Sequence, residues 1–382
     1  TKLVTNMSNM FSYCLELKQL DVSHFNTQNV ENMSTMFNYC QYIKELDLSQ
    51  WNTENVTDMQ KMFMDCRQLQ SMDLSNFNME KVTHMISLFH NDHSLQSVKF
   101  PVMKSSVLTH TSSVFANCES LNEVDLTPLN TSSVTAISTL CSGCKTIKTI
   151  NMDGMDVSKV TNIDQAFRNC HRLTDLRISG WKTDSLIYMP SMFHGCEDIE
   201  YLDVANWNVS KVTNMSSLFR ECKSLKQVDV SKWQTDSVDN ISYMFHTCEN
   251  LESINVTNFN VSKVNNMECM FSQCRKLKKL DLSTWNTEKA VFMNYLFSYC
   301  NNLESIDLSN FNTQAVAHTM AMFKNCTSLK VIDLTSFTSE KITETSEMFT
   351  GLTSDQIVYV NANTWTLDTS TYDVNVVPVA GR

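Results

Sequence analysis

The chain of 382 residues carries 41 acidic against 30 basic side chains, a formal charge of −11, which disfavours nucleic acid or an anionic membrane as a main partner because phosphate binding needs a basic face. Hydrophobic residues at 42% supply a continuous core, and charged residues at 19% are too few for a disordered chain. Six glycines and four prolines leave no flexible linker, and no apolar run reaches the roughly 18 residues of a membrane-spanning helix.

In chain order the first signal is a period. A Phe returns every 26 residues at Phe11, Phe37, Phe63, Phe89, Phe115, Phe167 and so on to Phe349, and Cys141 fills the one missing place. A period held without insertion predicts a stack of like units, since one unit cannot bury its own apolar face and a stack can. The expectation is one elongated array of about 14 units over residues 1–360, with 361–382 a C-terminal cap or the start of a following segment. The array is already under way at Thr1, so signal or anchoring segments are expected outside this sequence.

Each unit opens with aliphatics in an L-x-x-L-x-L pattern, as at Leu17, Leu20, Val22, at Ile43, Leu46, Leu48 and at Leu277, Leu280, Leu282. The last three positions alternate inward, outward, inward, which predicts a short strand with one buried face. Val30, Met33, Met36, Phe37 and Cys40 follow at spacings that predict one face of a short helix. Thr57, repeated as Thr5, Thr83, Thr109, Thr135, Thr161 and Thr213, is the expected N-cap of that helix. Successive strands must then lie parallel, giving an α/β repeat with a sheet on one face and short helices on the other. Residues Asn91–Ser112 are least regular, and beyond Thr350 the pattern fades after a last strand at Ile357, Val358 and Val360.

One unit reads Leu46-Asp47-Leu48-Ser49, Trp51-Asn52-Thr53, Val56-Thr57-Asp58-Met59, then Met62-Phe63 and Cys66. An aromatic (Phe25, Trp51, Phe77, Trp207, Trp285) stands where the commonest leucine-rich repeats place Asn, and Asn comes one residue later. In this four-part order, over residues 1–360, the chain resembles the BspA-like leucine-rich-repeat surface proteins, found largely in bacteria and in some protozoan parasites. The resemblance implies a secreted or wall-displayed solenoid used for adhesion to host proteins, mucosal surfaces or other microbes. It implies no common active site and no cofactor.

Twelve of the fourteen cysteines share one column, from Cys14 to Cys326. Equivalent Cβ atoms in coils about 4.8 Å apart stand wider than the roughly 3.8 Å a disulfide prefers, so buried free thiols are expected. Cys141 and Cys144 form the one C-x-x-C and lack a second pair to complete a zinc site. His84 and His110, with His90, Asp92 and His93 nearby, are read as solvated side chains in preference to a metal site. The Trp and Phe column is read as core, and a single interrupted Thr column (Thr27, Thr53, Thr131, Thr183, Thr235, Thr287, Thr313) as poor support for ice binding.

The outward strand position carries the candidate ligand residues: Asp21, Asp47, Asp73, Asp125, Asp203, Asp229, Asp281, Asp307 and Asp333, broken by Lys99, Asn151, Arg177, Asn255 and Tyr359. Repulsion between stacked carboxylates costs on the order of 1 kcal/mol or less per pair in water. They either present a ligand or cation surface or accept local hydrogen bonds from Ser and Thr such as Ser23 and Ser49. Arg177 with Asp175, Asp203 and Tyr201 would form a mixed patch if strands stack in register, the competing account being ordinary charge pairing. No G-x-S-x-G, His-Glu-x-x-His or Gly-rich phosphate loop occurs, and copied positions do not build one unlike catalytic set.

The sequence therefore points to a non-enzymatic adhesion protein, extracellular or on a bacterial cell surface. Its expected partner is a protein or glycan, with no metal, cofactor, nucleic acid or membrane insertion. A stalk or self-associating spacer that displays another domain is the alternative.

Overall fold

In the L-x-x-L-x-L segments the alternating aliphatics turn inward and the polar residues between them face solvent, as a one-sided strand requires. The computed structural model describes residues 1–105 and 107–380. Ser106 of the irregular stretch and residues 381–382 of the expected cap lie outside them. The chain forms two compact units, Thr1–Leu186 and Ile187–Arg382.

In the first unit the strands are β1 (Ser71–Asp73), β2 (Ser97–Lys99), β3 (Glu123–Asp125), β4 (Thr149–Asn151) and β5 (Asp175–Arg177). The second holds β6 (Tyr201–Leu202), β7 (Gln227–Val228), β8 (Lys279–Asp281), β9 (Ser305–Asp307), β10 (Val331–Leu334), β11 (Ile357–Asn361) and β12 (Asn375–Val379). Pairing is parallel throughout, with Ser71 opposite Ser97 and Thr149 opposite Asp175, so each coil repeats its predecessor 26 residues on. The last coil is shorter, since Ile357 pairs with Asn375.

The expected helices are absent: no helix occurs among the described residues. Residues 33–40 instead form consecutive turns, closed by Met36 N–H to Met33 O (3.3 Å), Asn38 N–H to Thr35 O (3.2 Å) and Cys40 N–H to Phe37 O (3.0 Å). Between them Thr35 and Tyr39 take positive φ, 56° and 62°, which ends any right-handed helix after one turn. The amides freed in this way bond to the following coil, as Thr35 N–H to Gln60 O (2.9 Å), Phe37 N–H to Met62 O (2.9 Å) and Tyr39 N–H to Met64 O (2.8 Å). The left-handed residues cost about 1–2 kcal/mol each and are offset by these inter-coil bonds. Gly143 stands in the Tyr39 column with φ 78°, where a Cβ would collide with the Asn117 side chain.

Thr57 accordingly caps no helix. Its Oγ1 donates to Glu31 O in the preceding coil (3.1 Å), as Thr83 does to Thr57 O (3.0 Å) and Thr109 to Thr83 O (3.1 Å). Beside this ladder runs a second line of single parallel bridges, Asn6 to Asn32 to Asp58 to His84 to His110 in the first unit. Each unit is thus a parallel β-solenoid with strands on one side and ladder-bonded turns on the other.

The core is two aromatic columns. Phe37, Phe63, Phe89 and Phe115 stack fully buried with centroids 5.3 to 5.7 Å apart, and Phe193 to Phe349 stack at 5.3 to 6.2 Å in the second unit. Trp233, Phe259, Trp285, Phe311 and Phe337 form the other stack, buried as the sequence pattern requires. Burial of each such ring is worth about 1.5–3 kcal/mol, with about 0.5–1.5 kcal/mol more for the ring contact.

Candidate functional site

The strand-face aspartates end their strands by accepting from the backbone two residues on. Asp21, Asp47, Asp73 and Asp307 each take the amide of the following Ser at 2.9 Å through one oxygen. Asp125, Asp229, Asp281 and Asp333 add the hydroxyl of that Thr or Ser at 2.6 to 2.8 Å. The Ser hydrogen bonds hold Asp21, Asp47, Asp73, Asp229 and Asp281 below the usual carboxylate range. Asn255 does the same work as an amide, accepting Thr257 N–H (3.1 Å) and Oγ1 (2.8 Å). Asp203 is followed at this place by Ala205, which has no hydroxyl to offer.

At two breaks in the column a cation meets a neighbouring carboxylate. Lys99 Nζ lies 3.6 Å from Asp73 Oδ2, across β1 and β2. Arg177 donates Nε and Nη2 to Asp175 Oδ2 at 3.0 and 2.8 Å, and this bond first, then the charges of Asp175, Asp153 and Asp125, raises its pKa. With no carboxylate at position 177, the Ser179 amide and hydroxyl turn to Asp153 in the preceding coil, at 3.2 and 2.6 Å. The first unit therefore brings Arg177 and Asp175 together, as expected, whereas Tyr201 and Asp203 are carried by the second unit.

Tyr201 on β6 is 62% exposed. Lys226 lies over its ring at 5.9 Å and is paired with Glu200 at 2.7 Å. Tyr201 borders an open depression of about 410 Å³ floored by Leu202, Val228 and Ile254 and rimmed by Gln227, Asp229, Ser253 and Asn255. In the first unit a second open depression, of about 680 Å³, is lined by Gln19, Asp21, Glu45 and Asp47. Gln227 and Ser253 were not among the sequence candidates. Their signal was the other outward strand position, the column of Asp175 and Tyr201, where Ser recurs at Ser71, Ser97, Ser253 and Ser305 but no residue type dominates as Asp does in its own column.

The cysteine column has a partner that spacing alone does not show. Cys40 Sγ donates to Phe11 O at 3.1 Å, Cys66 to Phe37 O at 3.2 Å and Cys118 to Phe89 O at 3.0 Å, always 29 residues back. All the cysteines are free thiols, Cys14 alone partly exposed. Burial pushes the Cys40 and Cys300 thiols up to about 12, which keeps them protonated donors. Trp51, Trp233 and Trp285 follow the same rule, donating Nε1 to Val22, Val204 and Val256 O at 3.0 to 3.3 Å. The Thr column is buried too: Thr27 Oγ1 donates to Asn52 O (2.9 Å) and accepts from Asn52 N–H (2.9 Å). It therefore presents no regular hydroxyl surface to solvent.

His84 and His110 stack at 5.0 Å, each with Nδ1 2.7 Å from the preceding Thr hydroxyl. Among the described residues no three His, Cys, Asp or Glu side chains group as a metal site, and no helix is long and apolar enough to cross a membrane.

Parallel coils, an aliphatic strand repeat and an open strand face define a leucine-rich-repeat-like β-solenoid. The chain belongs to the family described as "Mycoplasma protein of unknown function, DUF285", which matches residues 1–100, 65–174, 99–201, 137–254, 189–281 and 244–365. Among curated proteins none matches. Solved structures similar to it include a leucine-rich repeat protein from Bacteroides ovatus, with 19% identity over 84% of this chain and 88% of that one and a TM-score of 0.47. A leucine rich cell surface protein from Faecalibacterium prausnitzii has 19% identity over 71% and 84%, with a TM-score of 0.36. A leucine-rich repeat protein from Eubacterium ventriosum has 16% identity over 85% and 82%, with a TM-score of 0.34. The repeat unit read as BspA-like is the one that the family match follows along the chain.

Proposed function

We propose that the chain is a non-enzymatic binding protein of a bacterial cell surface that recognises a protein or glycan through its strand face. The observation that carries this reading is the depression beside Tyr201. There an exposed aromatic platform is rimmed by the amide, hydroxyl and carboxylate groups of Gln227, Asp229, Ser253 and Asn255, side chains that the coil does not need for its core. An aromatic face with planar polar groups around it suits a surface ligand bound by many modest contacts. The strand-face aspartates support the same reading, because the turn engages one carboxylate oxygen through the following amide.

The test is a screen of the chain against glycans and host matrix proteins, followed by the double variant Tyr201→Ala, Asn255→Ala. A bound ligand should lose at least tenfold in affinity with the melting temperature of the variant within about 2 °C of the parent. Unchanged affinity would exclude this face.

The stalk alternative is favoured by a different observation, the local engagement of most strand-face carboxylates and the pairing of Lys99 and Arg177 with their neighbours. Deleting whole coils without loss of surface display would count against it.

A further inference from the structure

The thiol column has one exception of another chemical kind. At position 92 the coil carries Asp where Cys66 and Cys118 stand in the coils before and after. The Asp92 side chain is 0% exposed, and neither carboxyl oxygen has a hydrogen-bond partner. The neighbouring thiols donate to the carbonyl 29 residues earlier, and by that rule the partner of position 92 is the carbonyl of Phe63. A thiol or a protonated carboxyl can donate there; a carboxylate cannot.

The surroundings do not favour a charge. The preceding coil presents Asp65, Cys66 and Arg67, but Arg67 is committed to Asp65 at 3.0 to 3.1 Å, and Asn91 Nδ2 also donates to Asp65 at 3.2 Å. The Cys66 amide, the one group that eases ionisation of Asp92, already donates to Phe63 O at 3.1 Å. The following coil presents the Cys118 thiol, bonded to Phe89 O, and Glu119, which lies 3.8 Å from His93 Nδ1. On its own coil are His93 and the half-buried His90, and burial depresses the His90 pKa. Among the described residues no basic side chain pairs with Asp92.

We propose that Asp92 makes its coil a pH-sensitive element, closed while the carboxyl is protonated and opening locally when the carboxylate forms. Burial first, and the charge of Asp65 after it, push the carboxyl well above its ordinary value. The sign follows. The closed coil holds the proton more tightly than the open one, so Asp92 favours the closed form fully below the unfolded pKa of about 3.9. That advantage is lost as pH rises toward the carboxyl's value in the folded chain. The strand-face aspartates, with depressed pKa values, have the opposite sign.

Amide hydrogen exchange on the whole chain, corrected for intrinsic base catalysis, tests this at the amides of Asp92 and Leu95, which bond to Phe89 O (3.2 Å) and Asp92 O (3.0 Å). In the parent chain the opening constant should rise about tenfold per pH unit from about pH 4 until the folded pKa is passed, as release of one proton requires. In Asp92→Asn and Asp92→Cys it should be level, and Asp92→Cys should exchange more slowly at pH 7.5. Either a level profile in the parent or the same slope in Asp92→Asn would overturn the proposal. Asp65→Asn is the control that should leave the slope in place.

Discussion

Two stretches of the first unit obey the same 26-residue rule with different fidelity. From Met33 to Phe89 the Phe stack, the turn ladder and the Cys-to-carbonyl bonds repeat coil by coil. From Asn91 to Met155 the backbone ladder persists while the side chains change: Asp92 replaces a thiol, Phe100 meets Phe115 edge-on, and Cys141 interrupts the Phe column. Even there Cys170 Sγ donates to Cys141 O at 3.1 Å. The difference teaches that the coil is set by backbone bonds between neighbours, which any residue can supply, and that the columns tune its stability.

The largest test of that contrast is in the stack. Phe63→Ala should cost about 3–5 kcal/mol, read as a lowered denaturation midpoint, because the rings on both sides hold the cavity open. Cys141→Phe, which restores the column in the irregular stretch, should also destabilise, by about 1–3 kcal/mol. Cys141 is fully buried, so a ring placed there is expected to push aside neighbours that have closed around the smaller side chain. A stabilised Cys141→Phe would show that they had not.

Next comes the thiol ladder. Cys66→Ala should lose about 1–2 kcal/mol, the hydrogen bond plus a small cavity, whereas Cys66→Ser keeps a donor and should lose less. In the native chain an alkylating reagent should modify Cys14 and spare the buried thiols until denaturant is added, as mass spectrometry can count.

The smallest effect is expected on the strand face. Asp47→Ala should lower the melting temperature slightly and Asp47→Asn hardly at all, since Asn255 already does this work elsewhere. The difference between parent and Asp47→Ala should vanish in acid. The folded pKa of Asp47 is depressed, so its contribution is present above the unfolded value of about 3.9 and is lost as pH falls through the folded one. An equal loss in Asp47→Asn would mean that charge, and not the turn bond, is what counts.

Much of this was legible from residue spacing. The parallel strands, the inward aliphatics, the free buried cysteines and the aromatic core follow from a strict repeat, because identical coils must bury identical faces. The helix was misread because Val30, Met33, Met36, Phe37 and Cys40 have helical spacing, yet two left-handed residues in every coil turn that spacing into a series of turns. Nothing in Thr35 or Tyr39 as residue types announces positive φ. The candidate site was half legible. The Asp column was plain from its repetition, whereas the column of Gln227 and Ser253 mixes Gln, Glu, Ser, Thr, Asp, Tyr, Lys and Val, and the pairing of Arg177 with Asp175 needed coordinates to be seen as a pair 2.8 Å apart.

By itself the sequence determined the coil length, the parallel stacking and which side chains are core, since a period and an apolar pattern leave one way to bury the repeated face. Only the tertiary structure decided what the polar and sulfur atoms do. A thiol finds a carbonyl 29 residues back in the adjacent coil, an aspartate finds the amide two residues on in its own turn, and the Asp92 oxygens find no donor among the described residues, because such partners are set by the path of the backbone in space.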